Sequence, residues 1–185
     1  MIAVWIILGI VVLAVIFVVV AYNGLVRLKT KIENAFAQID VQLTRRHDLI
    51  PNLVETVKGY ASHESKTLEA VIAARNAATA ATGPADQAQA ENVLTGTLRS
   101  LFAVSEAYPD LKANANFQQL QAELTATEDR IAYSRQYYND MVRGYNTKTQ
   151  TFPTALIANA MGFKQREYFE ADTTDRQNVD VKFDT

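Results

Sequence analysis

Residues 2–22 read IAVWIILGIVVLAVIFVVVAY, and no charged side chain precedes Arg27. At ~1.5 Å rise per residue, a helix of this run reaches about 30 Å, the thickness of a bilayer's hydrocarbon core. A helix also satisfies every backbone N–H and C=O where no water is present to do so. Trp5 and Tyr22 stand near the two ends, where amphipathic rings favour the interface. The run therefore reads as an anchor over residues 1–23, with the lipid bilayer as its partner through residues 2–22. A cleaved secretory signal is the rival reading, and Val19-Val20-Ala21 offers it a small-residue site. The missing basic n-region and the length of the apolar stretch weigh against that rival. Arg27, Lys29 and Lys31 follow the run directly. By the positive-inside rule they put the N-terminus outside and the remainder of the chain in the cytoplasm.

Beyond the anchor the composition narrows the function classes. Among 185 residues there is no cysteine, which excludes disulfides, thiol catalysis and thiolate metal sites. Two histidines, His47 and His63, are too few and too far apart for a multi-histidine centre. Eighteen basic against 20 acidic residues give a net charge of −2, so no nucleic acid is expected as partner. Seven glycines and 4 prolines favour helices over sandwiches or linkers.

Apolar positions after the anchor recur at alternating three- and four-residue steps. The first stripe runs Leu25, Leu28, Ile32, Ala35, Ile39, Leu43, Arg46, Ile50, Leu53, Val57, Tyr60. That near-heptad seam suits packing against partner helices, and the anchor helix can run straight into it. Pro51 either bends this helix or marks a new start capped by Asp48. A second helix is expected over residues 62–81, with Ser62 as cap and Leu68, Val71 and Ile72 inside. Gly83-Pro84 separates it from a third, over residues 85–108, whose face is Val93, Leu94, Leu98, Leu101, Phe102 and Ser105. A fourth, over residues 114–149, carries Phe117, Leu120, Leu124, Ile131, Tyr138, Met141 and Tyr145, and a short one follows over 154–161. The fold class expected is all-α: one transmembrane helix, then an antiparallel bundle of about four helices over residues 24–163. Residues 164–185 read as a polar tail, ending in a strand-like alternation at Val179, Val181 and Phe183.

The anomaly in this pattern is charge on the apolar stripes. Arg46 holds a seam slot within the cluster Asp40, Arg45, Arg46, His47, Asp48. On the fourth helix Thr127 and Ser134 hold seam slots, with Glu128 and Arg135 beside them. A buried arginine needs a charged, hydrogen-bonded partner, since an isolated desolvated charge is very costly. The leading expectation is an interhelical ion-pair layer that fixes register. The alternatives are a ligand or partner pocket around Arg46, Asp48 and Glu128, and snorkelling of Arg46 to solvent. No phosphate loop, nucleophile elbow or Glu-x-x-His ligand step is present. No cofactor, metal or enzymatic activity is expected. The tyrosines at 133, 137, 138 and 145 read as packing rather than a base-stacking platform.

Three stretches carry a resemblance. They are Tyr22-Asn23-x-Leu25-Val26, Asn34-Ala35-Phe36-x-Gln38-Ile39-Asp40-Val41-Gln42-Leu43-x-Arg45-Arg46-x-Asp48-Leu49-Ile50-Pro51-Asn52-Leu53-Val54, and Val57-Lys58-Gly59-Tyr60-Ala61-x-His63-Glu64. Ala74-Arg75, Glu106-x-Tyr108-Pro109-x-Leu111-Lys112-Ala113, Thr127-Glu128-x-Arg130-Ile131, Arg135-x-Tyr137-Tyr138-Asn139, Tyr145-Asn146 and Phe152-Pro153 extend it. Together with Gly162-Phe163 and the Val181-x-Phe183 ending, these resemble the LemA family over nearly the whole chain. His47 departs from that pattern, in which an aromatic is more usual. The resemblance implies a bacterial membrane protein with one N-terminal helix, a short external N-terminus and a cytoplasmic four-helix bundle. It implies no catalytic residues.

The functional expectation is a non-enzymatic, membrane-anchored scaffold or adaptor that associates with itself or with other membrane proteins. A site at the charged cluster, or a membrane-remodelling surface, is the alternative.

Overall fold

A computed structural model describes residues 1–169 of the chain. Among them the regular elements are all helical: α1 Ile2–Lys58, α2 Ser65–Ala80, α3 Pro84–Ser105, α4 Pro109–Lys112, α5 Ala115–Gln150 and α6 Thr154–Ala160. The all-α expectation holds, while the strand-like ending at residues 179–183 lies outside the described residues. The chain divides into two compact units, one of Met1–Asp40 with Ala132–Tyr168 and one built on Val41–Ile131.

In the first unit α1 carries the apolar run, the one helix among the described residues long and apolar enough to cross a membrane. The seam then takes over: Leu25, Ile32, Ala35 and Ile39 are buried, as are Tyr138, Val142 and Tyr145 of α5. Phe36 meets Tyr138 with ring centroids 5.8 Å apart. After α6 the backbone reverses at Gly162, whose φ of 72° lies in the left-handed region glycine adopts without strain. Gly162 N–H donates to the Asn159 carbonyl and Phe163 N–H to the Ala158 carbonyl, closing the helix in a Schellman arrangement. That turn delivers the Phe163 ring to within 5.6 Å of the Tyr22 ring. The polar tail expected from residue 164 is held at its first residues. Asn146 bonds both the carbonyl and the N–H of Arg166, at 2.9 and 2.8 Å, and the Tyr138 hydroxyl donates to the Glu167 carbonyl.

In the second unit Ile50, Leu53 and Val57 of α1, Val71 of α2, Leu94 and Leu101 of α3, Leu111 of α4 and Phe117 of α5 share one core. Helix α1 passes through Pro51 unbroken, so Asp48 is not a cap. Proline has no N–H to give to the carbonyl four residues back, which is that of His47. Arg75 of α2 supplies the missing donor, its Nε–H reaching the His47 carbonyl at 2.8 Å. Pro51 itself is exposed and so displaces nothing in the core.

Helix ends differ from those expected where tertiary contacts override local signals. Helix α2 begins at Ser65 rather than Ser62. Ala61 is fully buried, and the turns at residues 59–64 spend the intervening chain on putting it there. Glu64, at the cap position, has its carboxylate accept from the Tyr108 hydroxyl rather than cap its own helix. Helix α3 stops at Ser105, because Tyr108 precedes a proline and is held extended, at φ −121° and ψ 88°. Val93 and Ile72, expected inside, are 57% and 43% exposed. Asn114 caps α5, its side-chain oxygen accepting from the Phe117 N–H at 3.0 Å.

Removing the Arg75 side chain leaves the His47 carbonyl without a donor, a loss of about 1–3 kcal/mol. Arg75→Leu should therefore lower the stability of the detergent-solubilised full chain in urea or thermal melts. In a Pro51→Ala background the helix regains its own donor, and the same substitution should cost clearly less. Equal losses in both backgrounds would show that the proline and Arg75 are not coupled.

Candidate functional site

The site begins with the seam slot of Arg46. Flanked by Leu43 and Ile50 on the buried face of α1, Arg46 is 1% exposed and cannot reach water. Its guanidinium is met on two sides. From α3 comes Glu91, itself 1% exposed, whose Oε2 pairs with Nη2 and whose backbone carbonyl accepts from the same nitrogen at 3.2 Å. From α5 comes Glu128, whose Oε2 pairs with Nη1. Thr95, one turn beyond Glu91, bridges the guanidinium and Glu128. Its hydroxyl accepts from Arg46 Nη1 at 3.0 Å and donates to Glu128 Oε1 at 3.3 Å. Arg46 Nη1 and Nη2 thus hold four acceptors in a planar fork, the geometry for which guanidinium is suited.

His47 extends the network. It is buried, and its Nε2 lies 2.8 Å from Glu91 Oε1, the oxygen that Arg46 does not use. A carboxylate only accepts, so Nε2 carries the proton. Nδ1 lies 3.4 Å from the Thr79 hydroxyl of α2. A hydrocarbon ring in place of His47 would have no N–H to offer Glu91. Burial pushes the Glu91 carboxyl up. The hydrogen bond from His47, the charges of Arg46 and His47 and the Arg46 hydrogen bond together outweigh it, and the net shift is down.

The expected cluster is brought together only in part. Arg46 and Glu128 meet in an ion pair. Arg45 turns outward to a solvent-exposed pair with Glu123 at 3.7 Å, worth little by itself. Asp48 and Asp40 are exposed on α1, away from the buried seam, and Asp40 belongs to the first unit, as does the half-buried Arg135. Asp48 therefore does not join the site. Glu91, Thr95 and Arg75 carry the network with His47, yet those three were absent from the expected set of partners. Reading the α3 seam backwards by the same four- and three-residue steps, from Leu101 through Leu98 and Leu94, lands on Glu91 and then Gln87, both buried. That periodicity was the signal for Glu91.

Chemically, one guanidinium sits between two carboxylates, where a metal ion would otherwise balance them. Among the described residues no group of three or more His, Asp or Glu is placed to hold a metal. Glu128 is 40% exposed and borders an open cleft of about 170 Å3 with Leu98, Phe102, Leu124 and Arg99 on its walls.

A chain whose described elements are all helical, with one apolar N-terminal helix and a buried arginine clamped by glutamates from two other helices, defines the class. Residues 35–183 match the model of the LemA family, and the chain belongs to that family. It is 28% identical to Protein LemA of Metamycoplasma hominis over 163 residues, covering 86% of this chain and 73% of that protein. It is 36% identical to Magnetosome protein MamQ 2 of Paramagnetospirillum magneticum over 73 residues, 40% of this chain and 27% of the relative. Magnetosome protein MamQ of Magnetospirillum gryphiswaldense is 26% identical over 174 residues, 80% of this chain and 64% of the relative. The chain thus spans less than two thirds of the magnetosome proteins it matches.

Arg46→Met strands Glu91 in the core and should cost about 3–5 kcal/mol in chemical melts. Adding Glu91→Gln removes the stranded charge and should restore part of that loss. The Glu91 carboxyl has a folded-state pKa below its ordinary 4.5. Its contribution is present above the unfolded value and is lost as pH falls through the folded one. Below about pH 4.5 the parent should lose stability more steeply than Glu91→Gln. Parallel acid profiles would remove Glu91 from this role.

Proposed function

We propose that the protein is a membrane-anchored helical scaffold or adaptor rather than an enzyme. In this reading residues 2–22 cross the bacterial cell membrane once, with the N-terminus outside and the rest of the chain in the cytoplasm. The second unit is then a four-helix bundle that presents surfaces to a second copy or to other membrane proteins. The observation that carries this reading is that one unbroken helix, α1, holds both the apolar run and Arg46. The charged groups that a site would need are consumed inside, with Arg46 and Glu91 each 1% exposed and bonded to one another. The magnetosome relatives support the membrane placement.

The cleft beside Glu128 favours a second reading, a small-ligand site with an apolar floor and Arg99 and Glu128 at its rim. A ligand there would protect the chain against melting, and Arg99→Ala would abolish that protection while leaving the unliganded melt unchanged.

For the leading reading, the detergent-solubilised full chain should sediment as a dimer or larger species. Crosslinkers placed at residues 34–64 in intact cells should trap a second copy or a membrane protein. A reporter fused after Thr185 should be active only in the cytoplasm. Monomers at every usable concentration, with no trapped protein, would end the scaffold reading. A reporter active only outside would invert the topology.

A further inference from the structure

The first unit carries two features that the scaffold reading leaves unused. Three large apolar side chains around α6 are open to solvent: Phe152 at 82%, Leu156 at 64% and Met161 at 56%. Beside them lies a polar concavity of about 340 Å3 lined by Lys29, Lys164 and Arg166, with Tyr145 and the backbone after Gly162. The carboxylate paired with these cations is Glu33, 3.4 Å from Arg166. The concavity therefore has a positive excess.

Contacts within this unit fix where both features stand along α1. Tyr22, the last residue of the apolar run, packs on Phe163. Phe36 packs on Tyr138, and at ~1.5 Å per residue it lies about 21 Å beyond Tyr22. From Tyr138 to the end of α5 at Gln150, the chain returns about 18 Å toward Tyr22. Phe152 and α6 therefore sit within a few ångströms of the level at which the apolar run ends. Lys29 stands about 10 Å past Tyr22, and its long stem reaches back into the headgroup layer.

We infer that the α6 corner rests in the membrane interface, with Phe152, Leu156 and Met161 among the acyl-chain ends and Lys29, Lys164 and Arg166 on the phosphate of an anionic phospholipid. This rests on the reading that residues 2–22 span the bilayer. Apolar side chains at the level where a span emerges meet lipid before any protein can reach them. The adjacent cations match the negative phosphates at that depth.

The test uses the full chain in vesicles of phosphatidylcholine with bromine on the acyl chains, with and without phosphatidylglycerol. Trp5, the single tryptophan, reports the span. The Trp5→Phe/Phe152→Trp variant reports the corner, and Trp5→Phe/Tyr133→Trp reports an exposed control site farther along α5. The corner tryptophan should be quenched well above the control, and more so with phosphatidylglycerol present. Quenching no greater than the control, with Trp5 quenched, overturns the docking and leaves the span intact. An unquenched Trp5 overturns the span itself. In the second arm, Lys29→Gln and Lys164→Gln should each weaken phosphatidylglycerol retention about five-fold in native mass spectra, the equivalent of ~1 kcal/mol per juxtamembrane cation. Both residues are exposed, so folding is untouched. Unchanged retention overturns the headgroup site. Inorganic phosphate that removes the phosphatidylglycerol effect as fully as the substitutions assigns the concavity to a soluble anion instead.

Discussion

The second unit depends on burying the guanidinium of Arg46. A lone charge in that position would cost several kilocalories per mole. The cost is met because α1, α3 and α5 each place a polar group at the same level: Arg46, Glu91 with Thr95, and Glu128. Apolar seams with a three-four repeat pack almost equally well when shifted by a heptad. The polar layer does not, since any shift would separate the arginine from both carboxylates. Buried ion pairs contribute little net stability against apolar residues of the same size. What this one contributes is a single register for three helices.

A second constraint acts through the backbone. Pro51 deprives the His47 carbonyl of its helical partner, and Arg75 takes the place of that partner from α2. The same residue, His47, turns its side chain to Glu91 and to Thr79. One residue of α1 therefore meets α2 through its carbonyl and its Nδ1, and α3 through its Nε2. With Arg46 beside it reaching α3 and α5, two consecutive positions address every long helix of the unit. The proline is thus part of how α2 is docked rather than a flaw in α1.

How much of this was legible follows from the physics of each feature. Helix existence was legible, because apolar periodicity and the Gly83-Pro84 and Phe152-Pro153 breaks are local. Helix ends at Ser65 and Ser105 were not, because burial of Ala61 and the pre-proline geometry of Tyr108 decide them. Arg46 stood out because it is charged in a seam slot, and Glu128 because it adjoins one. Glu91 stood in a seam slot too, but on a stripe begun too late, at Val93, which turns out to face solvent. Asp48 shared the neighbourhood of Arg46 in sequence and not in space, since residues two apart on a helix point to different faces.

The arrangement of charge bears on what the molecule is for. An active site keeps a charged group poised against an absent substrate, and so leaves part of its hydrogen-bonding capacity open. At Arg46 the two terminal nitrogens are taken by Glu91, Glu128 and Thr95, and the second oxygen of Glu91 by His47, so that of the guanidinium nitrogens Nε alone is left without an acceptor. Glu128 alone of the three charged groups faces outward, at 40% exposure. A ligand there would have to compete with an arginine already in place, whereas a protein surface passing over the cleft would not. The side chains left free to act on something else are the surface ones, and on α6 those are apolar and stand beside a basic concavity.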